Sequence, residues 1–233
     1  HLFPCGGQLL LGQLPHLRVR EQLLRRGVLL PPHVSADEQV EGLVPDIRLL
    51  AVGQSAVQRL QTALVGLRLG HDAKKSDILG LAVRGGSVVS HIIWGENVRA
   101  PMIDRGTADY YLSFEWLEGL RRLVYTNKDT VVLANDWRID PVAVSSGQAE
   151  YPAVEGIRNT MRERCAALHV LPATPMAVDM GNARVFNSII MGKLSLLVGG
   201  DGDVWRSAVA DTVAPKVRDL NVRAFDAGRS FGL

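Results

Sequence analysis

Ile47-Arg-Leu-Leu-Ala-Val52, the break Gly53-Gln54-Ser55 and the run Ala56–Leu69 closed by Gly70 decide the fold of this chain. The first piece is a short, continuous apolar run, which reads as a strand buried on both faces. Val57, Leu60, Leu64 and Leu67 then recur at helical spacing and are expected to face the core. Gly70 supplies the left-handed residue with which helices prefer to stop. Strand, glycine turn, helix is the first unit of a parallel α/β sheet.

The pattern continues downstream. Ser87–Trp94 is β-branched and apolar, Gly95-Glu-Asn97 turns it, and Val98–Ala100 is expected to pair back as a hairpin. Asp109–Phe114 reads as a strand, Glu115–Leu123 as a helix, and Thr130–Ala134 as a buried strand ending at Asn135-Asp136. Val154–Ala167 reads as a helix and His169–Leu171 as a short strand. Arg184–Val198 is apolar on nearly every face, so it should be buried by the sheet or by a partner subunit. Val204–Gly228 closes the chain as two helices broken before Pro215. The expected architecture is a three-layer α/β/α domain with a mostly parallel sheet over residues 47–233. Residues 1–46, with five prolines (Pro4, Pro15, Pro31, Pro32, Pro45), a helical pattern at Leu17–Arg26 and an acidic patch at Asp37–Glu41, read as an extension or linker.

Composition narrows the function. Apolar residues at 47% and charged residues at 21% fit a globular protein, and a net charge of +2 gives no footprint for nucleic acid. The two cysteines, Cys5 and Cys165, form no Cys-x-x-Cys, so the chain is expected to hold no iron–sulfur cluster or structural zinc of its own. Their scarcity fits a reducing compartment, no run is long enough to span a membrane, and the expected location is the cytoplasm.

Two stretches offer ligand chemistry. Gly53-Gln54 lies where α/β folds bind ligands, beyond the carboxyl end of the first strand, although one glycine is not the Gly-x-Gly-x-x-Gly of a dinucleotide site and only Lys74–Asp77 would supply the acidic partner. In Arg84-Gly85-Gly86-Ser87 a planar fork of donors, a bare backbone and a hydroxyl adjoin. The residues alone leave two readings open: an anion or carbonyl site, or a glycine turn leading into a strand. Gly200-Asp201-Gly202 looks like the start of a thiamine-diphosphate motif, but Asn221 is the only downstream Asn and helix capping explains Asp201 and Asp203 more simply. His91 reads as a packed or hydrogen-bonded core residue, and His71-Asp72 as a structural loop pair. Ser87 and Ser90 have no adjacent base, and no carboxylate pair or histidine cluster has metal spacing.

Residues 76–95, Ser-Asp-Ile-Leu-Gly-Leu-Ala-Val-Arg-Gly-Gly-Ser-Val-Val-Ser-His-Ile-Ile-Trp-Gly, resemble the central segment of the gamma-type domain of 2-oxoacid:ferredoxin oxidoreductases, in particular the indolepyruvate-type beta subunits. Further pieces follow in the family's order: Gly106-Thr-Ala-Asp109, Glu115-x-Leu-Glu118, Pro141-Val-Ala-Val144, Gly147-Gln-Ala-Glu-Tyr-Pro152, Gly181-Asn-Ala-Arg-Val-Phe-Asn187 with Met191-Gly192, and Pro215-Lys216 through Asn221, Ala224-Phe225 and Gly228. The resemblance covers residues 47–233. It implies a subunit of an enzyme that decarboxylates a 2-oxoacid on thiamine diphosphate, passes electrons through 4Fe-4S clusters to ferredoxin and releases an acyl-CoA. Thiamine, magnesium and the clusters would sit on a large alpha subunit, with no cofactor bound by this chain alone. This chain would help form the coenzyme A or substrate site through Gly53, Gln54, Arg84, Gly85, Gly86, Ser87 and Asn187. The family's Gly-x-Gly-Gly-Gln-Gly is replaced here by Ala51-Val-Gly-Gln-Ser-Ala56, which puts side chains where backbone would approach a phosphate. A non-catalytic assembly subunit that kept the fold and lost the ligand loop therefore stands as the alternative, and a stand-alone nucleotide-binding oxidoreductase as a weaker third.

Overall fold

In the computed structural model, residues 47–53, 56–79 and 88–232 are described; the expectations for residues 1–46, Gln54 and Arg84–Ser87 lie outside them. Six strands form one sheet: β1 (Ile47–Val52), β2 (Asp72–Leu79), β3 (Val88–Gly95), β4 (Tyr110–Ser113), β5 (Val131–Asn135) and β6 (Ala167–Leu171). Their spatial order is β2-β3-β1-β4-β5-β6. β1, β4, β5 and β6 run parallel, whereas β3 pairs antiparallel with both β1 and β2. The strand period of two divides each apolar run between two cores. Leu49, Ala51, Leu112 and Leu133 face one core, and Leu50, Val52, Tyr111 and Val132 face the other.

The helices are α1 (Ala56–Arg68), α2 (Trp116–Arg121), α3 (Val142–Ser145), α4 (Val154–Arg162), α5 (Ala173–Asp179), α6 (Phe186–Val198), α7 (Gly202–Asp211) and α8 (Arg218–Ser230). α1, α5, α6, α7 and α8 cover the first core, and α2 with α4 cover the second. This is the expected three-layer arrangement with one thick side. None of the helices among the described residues is long and apolar enough to cross a membrane.

α6 is the buried helix its composition predicts. Nine of its residues are buried, and its cover comes from α8. Ser188 hydrogen-bonds Asn221 at 2.7 Å, and Arg229 donates to Ser195 at 2.6 Å, so the two helices run parallel. Their backbones nearly touch: a Cβ on Gly228 would lie 1.9 Å from the Ile189 carbonyl oxygen, and one on Gly192 would lie 2.0 Å from that of Phe225.

Three expectations are corrected. Val98–Ala100 is not a strand. The outer antiparallel partner of β3 is instead β2, whose sequence Asp-Ala-Lys-Lys-Ser-Asp-Ile-Leu is too charged to read as a strand but suits a sheet edge, where lysines discourage further pairing. Lys75 and Asp77 pair with each other there, at 2.9 Å. The helix expected over Val154–Ala167 stops at Arg162, and β6 begins at Ala167. On α1 the expected apolar stripe holds only in part: Leu64 packs on the core, Leu60 and Leu67 are 50% and 55% exposed, Gln61, Thr62, Ala63 and Val65 are buried, and the Val57 side chain lies outside the described ones. The helix is turned this way because Gly66 packs its bare backbone on Trp94 and Thr62 meets Met191 of α6.

His91 is fully buried, as expected of a core histidine. Its Nδ1 accepts the Ile103 N–H at 3.1 Å, so the proton sits on Nε2, and Tyr125 packs edge-on at 5.5 Å. His71 stacks on Trp94, and Asp72, the first residue of β2, accepts from Lys74 and the Val98 N–H, so both have structural roles.

Two predictions follow from this packing. Gly228→Ala should destabilise the protein by about 3 kcal/mol in urea unfolding, whereas Gly156→Ala, whose methyl meets open space within α4, should stabilise it by about 0.5–1 kcal/mol. Burial also lowers the pKa of His91 from 6.5, and that of His169 likewise. Above that value both histidines are neutral in either state. As pH falls through it, the unfolded chain takes up protons that the folded chain resists, and stability is lost down to the folded pKa. The urea midpoint should therefore be lower at about pH 5.5 than at about pH 8, and His91→Leu should flatten part of that difference.

Candidate functional site

The chain reverses its direction of travel across the sheet between β1 and β4. From β1 it passes through α1 to β2 and β3 on one side, and from β4 through α2 to β5 on the other. Such a switch point opens a crevice beyond the carboxyl ends of the two strands. Gly53 and Phe114 form its floor. Gly53 has φ +119° and donates its N–H to the Val88 carbonyl at 2.9 Å, and a Cβ there would lie 2.7 Å from that of Phe114. Only glycine fits this position.

Phe186 stands edge-on to Phe114 at 5.9 Å and opens α6 at the same crevice. Tyr110, at the far end of β4, donates to the Leu197 carbonyl, so α6 runs from the carboxyl edge to the amino edge. Its amino end thus points to the crevice; the 3-10 turn Ala183–Val185 leads directly into it, capped by Asn182, and the Phe186 N–H meets the Ala183 carbonyl. Asn187 lies in that first turn. Its Nδ2 donates to the Arg184 carbonyl at 3.4 Å, and its Oδ1 is buried with no hydrogen-bond partner. The structure thus brings Gly53 and Asn187 to the two flanks of one aromatic pair. Leu79 and Val88, which bracket Arg84–Ser87 in sequence, are register partners, and Val88 receives the Gly53 N–H.

The rest of the edge is a hydrogen-bonded rim that sequence reasoning missed. Asn135, at the end of β5, donates to the Phe114 carbonyl at 3.1 Å and to Thr174 Oγ1 at 2.9 Å, and accepts from the Thr174 N–H at 3.3 Å. It joins β4, β5 and α5 at their edge ends. Glu115 caps α2 and accepts from the Leu117 and Glu118 N–H groups and from the Tyr151 hydroxyl, the last at 2.6 Å. Burial first, and then the Glu115 carboxylate, push the Tyr151 hydroxyl well above the ordinary phenol range, so it stays a donor. Arg138 stacks on Tyr151 at 4.3 Å and Arg158 on Trp116 at 5.0 Å, while Asp136 holds both Arg158 and the Trp116 indole N–H. The available signal was positional: Asn135 and Glu115 each follow a strand end directly.

Chemically the edge offers backbone donors, carboxamides and aromatic walls. Among the described residues no three His, Cys, Asp or Glu side chains gather to hold a metal. Cys165 is buried, and burial raises its thiol pKa. Asp201, in the thiamine-like Gly200-Asp201-Gly202, accepts the Asp203 N–H at Oδ1 and caps α7.

Tyr151→Phe removes the donor from a buried carboxylate and should cost about 1–3 kcal/mol in urea unfolding. An unchanged midpoint would show that the Glu115 cap stands without it.

Comparison with known proteins places the chain. The family model for pyruvate ferredoxin/flavodoxin oxidoreductase matches residues 53–231. Indolepyruvate oxidoreductase subunit IorB of Pyrococcus horikoshii is 32% identical over 165 residues, covering 70% of this chain and 82% of that protein. The subunit of the same name from Thermococcus kodakarensis is 33% identical with the same coverage. Among solved structures, 2-oxoglutarate:ferredoxin oxidoreductase from Magnetococcus marinus, with 2-oxoglutarate, coenzyme A and succinyl-CoA bound, shares the fold at TM-score 0.58 and 17% identity. The match covers 80% of this chain and 30% of that one. Pyruvate oxidoreductase subunit PORC from Thermotoga maritima matches at TM-score 0.56 and 15% identity, covering 79% and 95%. The chain belongs to the pyruvate ferredoxin/flavodoxin oxidoreductase family.

Proposed function

We propose that this chain is the beta subunit of an indolepyruvate-type 2-oxoacid:ferredoxin oxidoreductase. The observation that carries the reading is the identity of about one residue in three to IorB subunits along most of their length. In the overall reaction a 2-oxoacid, coenzyme A and two oxidised ferredoxins give an acyl-CoA, carbon dioxide, two reduced ferredoxins and a proton. Thiamine diphosphate, magnesium and 4Fe-4S clusters belong to a large alpha subunit in this proposal, and ferredoxin docks on the complex. Support comes from Asp201 serving as the cap of α7 and from an edge built of hydrogen-bonding and aromatic groups.

This chain's share is to bind and orient coenzyme A or the 2-oxoacid at the carboxyl edge. Gly53 shapes the crevice floor against Phe114, and the amino end of α6 turns the positive end of its dipole to an anionic oxygen. The unused Asn187 Oδ1 accepts a ligand N–H or O–H. Gln54 and the Arg84-Gly85-Gly86-Ser87 stretch complete the set, with Arg84 supplying a fork suited to carboxylate or phosphate. A second reading, a scaffold subunit with a degenerate loop, draws on the single glycine left in Ala51–Ala56.

Co-expression with the large subunit of the source organism separates the two. The complex should reduce ferredoxin only with an aryl 2-oxoacid and coenzyme A both present. Arg84→Ala and Asn187→Ala should each raise the KM for coenzyme A or the 2-oxoacid roughly tenfold, with the melting temperature nearly unchanged. Full activity of both variants would favour the scaffold reading. Failure of the chain to join any large subunit would remove both.

A further inference from the structure

The aromatic pair at the crevice is unequal. Phe114 is 5% exposed and lies against Gly53, where a Cβ would come within 2.7 Å of its own. Phe186 meets Phe114 edge-on, with ring planes at 83° and centroids 5.9 Å apart, and keeps part of its surface open. Its ring is held from two sides: Phe114 is closed off by Gly53, and α6 is pinned on α8 at Gly192 and Gly228. A partly open aromatic ring on a rigid support is a seat for a flat apolar group.

Asn187, the next residue, carries a carboxamide with one side unused. Its Nδ2 reaches the Arg184 carbonyl at 3.4 Å, while its Oδ1 is buried with no hydrogen-bond partner. The fold is able to satisfy a carboxamide at this edge. Asn135 donates to the Phe114 carbonyl and to Thr174 Oγ1, and it accepts the Thr174 N–H. A buried acceptor left open near a fully engaged one points to a group that the chain does not itself supply. Because the Nδ2 bond is single and long, the amide can turn to meet that group.

The chemistry of the missing group follows from what is offered. Phe186 takes a flat ring. Asn187 takes one N–H, and with Nδ2 spent on Arg184 it has no donor to give. The Asn135 donor is likewise taken. A phenyl ring has no N–H. Adenine has an amino group, but ring-nitrogen acceptors flank it and would find no donor on either carboxamide. Indole has one N–H and no acceptor. We infer that Phe186 and Asn187 seat the indole ring of a 2-oxoacid substrate, the ring on Phe186 and its N–H on Asn187 Oδ1. This rests on the beta-subunit reading above. The 2-oxoacid end of the molecule is left to the partner, which carries the chemistry in that reading.

The test uses the full-length chain co-expressed with its large subunit. Ferredoxin reduction is followed at saturating coenzyme A with indolepyruvate, phenylpyruvate and an aliphatic 2-oxoacid. Comparing substrates within one variant cancels any general loss of active complex. Asn187→Ala should lower kcat/KM for indolepyruvate relative to phenylpyruvate about five- to tenfold. Asn187→Asp, which keeps an acceptor oxygen, should keep most of that preference. Phe186→Leu should lower kcat/KM for both aryl acids relative to the aliphatic one by a similar factor, and Phe186→Tyr should keep it. Unchanged preferences in both Asn187→Ala and Phe186→Leu overturn the inference and leave the beta-subunit reading standing. A rise in the KM for coenzyme A with both preferences unchanged makes adenine the ring that sits here, and overturns it likewise. A wild-type complex that assembles yet turns over neither aryl acid removes the reading, and the inference with it.

Discussion

The close passage of α6 over α8 is the constraint on which the rest of the molecule depends. With Gly192 and Gly228 at the crossing, backbone packs on backbone, and neither position has room for a methyl group. The contact buries α6 between α8 and the sheet and fixes its height. That height in turn places Phe186 on Phe114 and Asn187 at the carboxyl edge. A second tight contact, Gly53 against Phe114, fixes the floor of the same crevice. Two sets of glycine contacts, one in the thick helical layer and one at the strand ends, thus set the geometry of the candidate site.

Much of the fold was legible because strand and helix periods are local. The apolar run Ile47–Val52, the all-apolar α6 and the break before Pro215 each carry their own pattern. The errors arose where tertiary context overrode that pattern. β2 is charged because it is an edge strand, and no local pattern distinguishes an edge strand from a loop. The buried face of α1 is only partly apolar, because Thr62 and Gly66 are placed for close approach to α6 and Trp94. Of the candidate site, Gly53 and Asn187 stand out in the sequence and lie at one edge. The rim built from Glu115, Asn135 and Tyr151 was not, because its members lie up to 36 residues apart and become neighbours only when strand ends align.

The same edge suits the division of labour proposed for the complex. The described carboxylates nearest the crevice are occupied: Glu115 caps α2 and Asp136 holds Arg158 and Trp116. Groups so engaged are poor proton carriers or metal ligands and good fixed dipoles. Among the described groups at this edge, the Asn187 Oδ1 has no hydrogen-bond partner. A surface of this kind can orient a coenzyme or a substrate while a partner performs the bond-breaking steps.

Hydrogen exchange of the full-length chain within the assembled complex, with and without coenzyme A, tests the central claim that the carboxyl edge is the ligand face. Slowed exchange should appear at Gly53, at the Phe114–Leu117 turn and in the first turn of α6, with little change near Ile103 and Val124 at the opposite edge. Protection confined to the opposite edge, or no change at either edge at saturating coenzyme A, would contradict it.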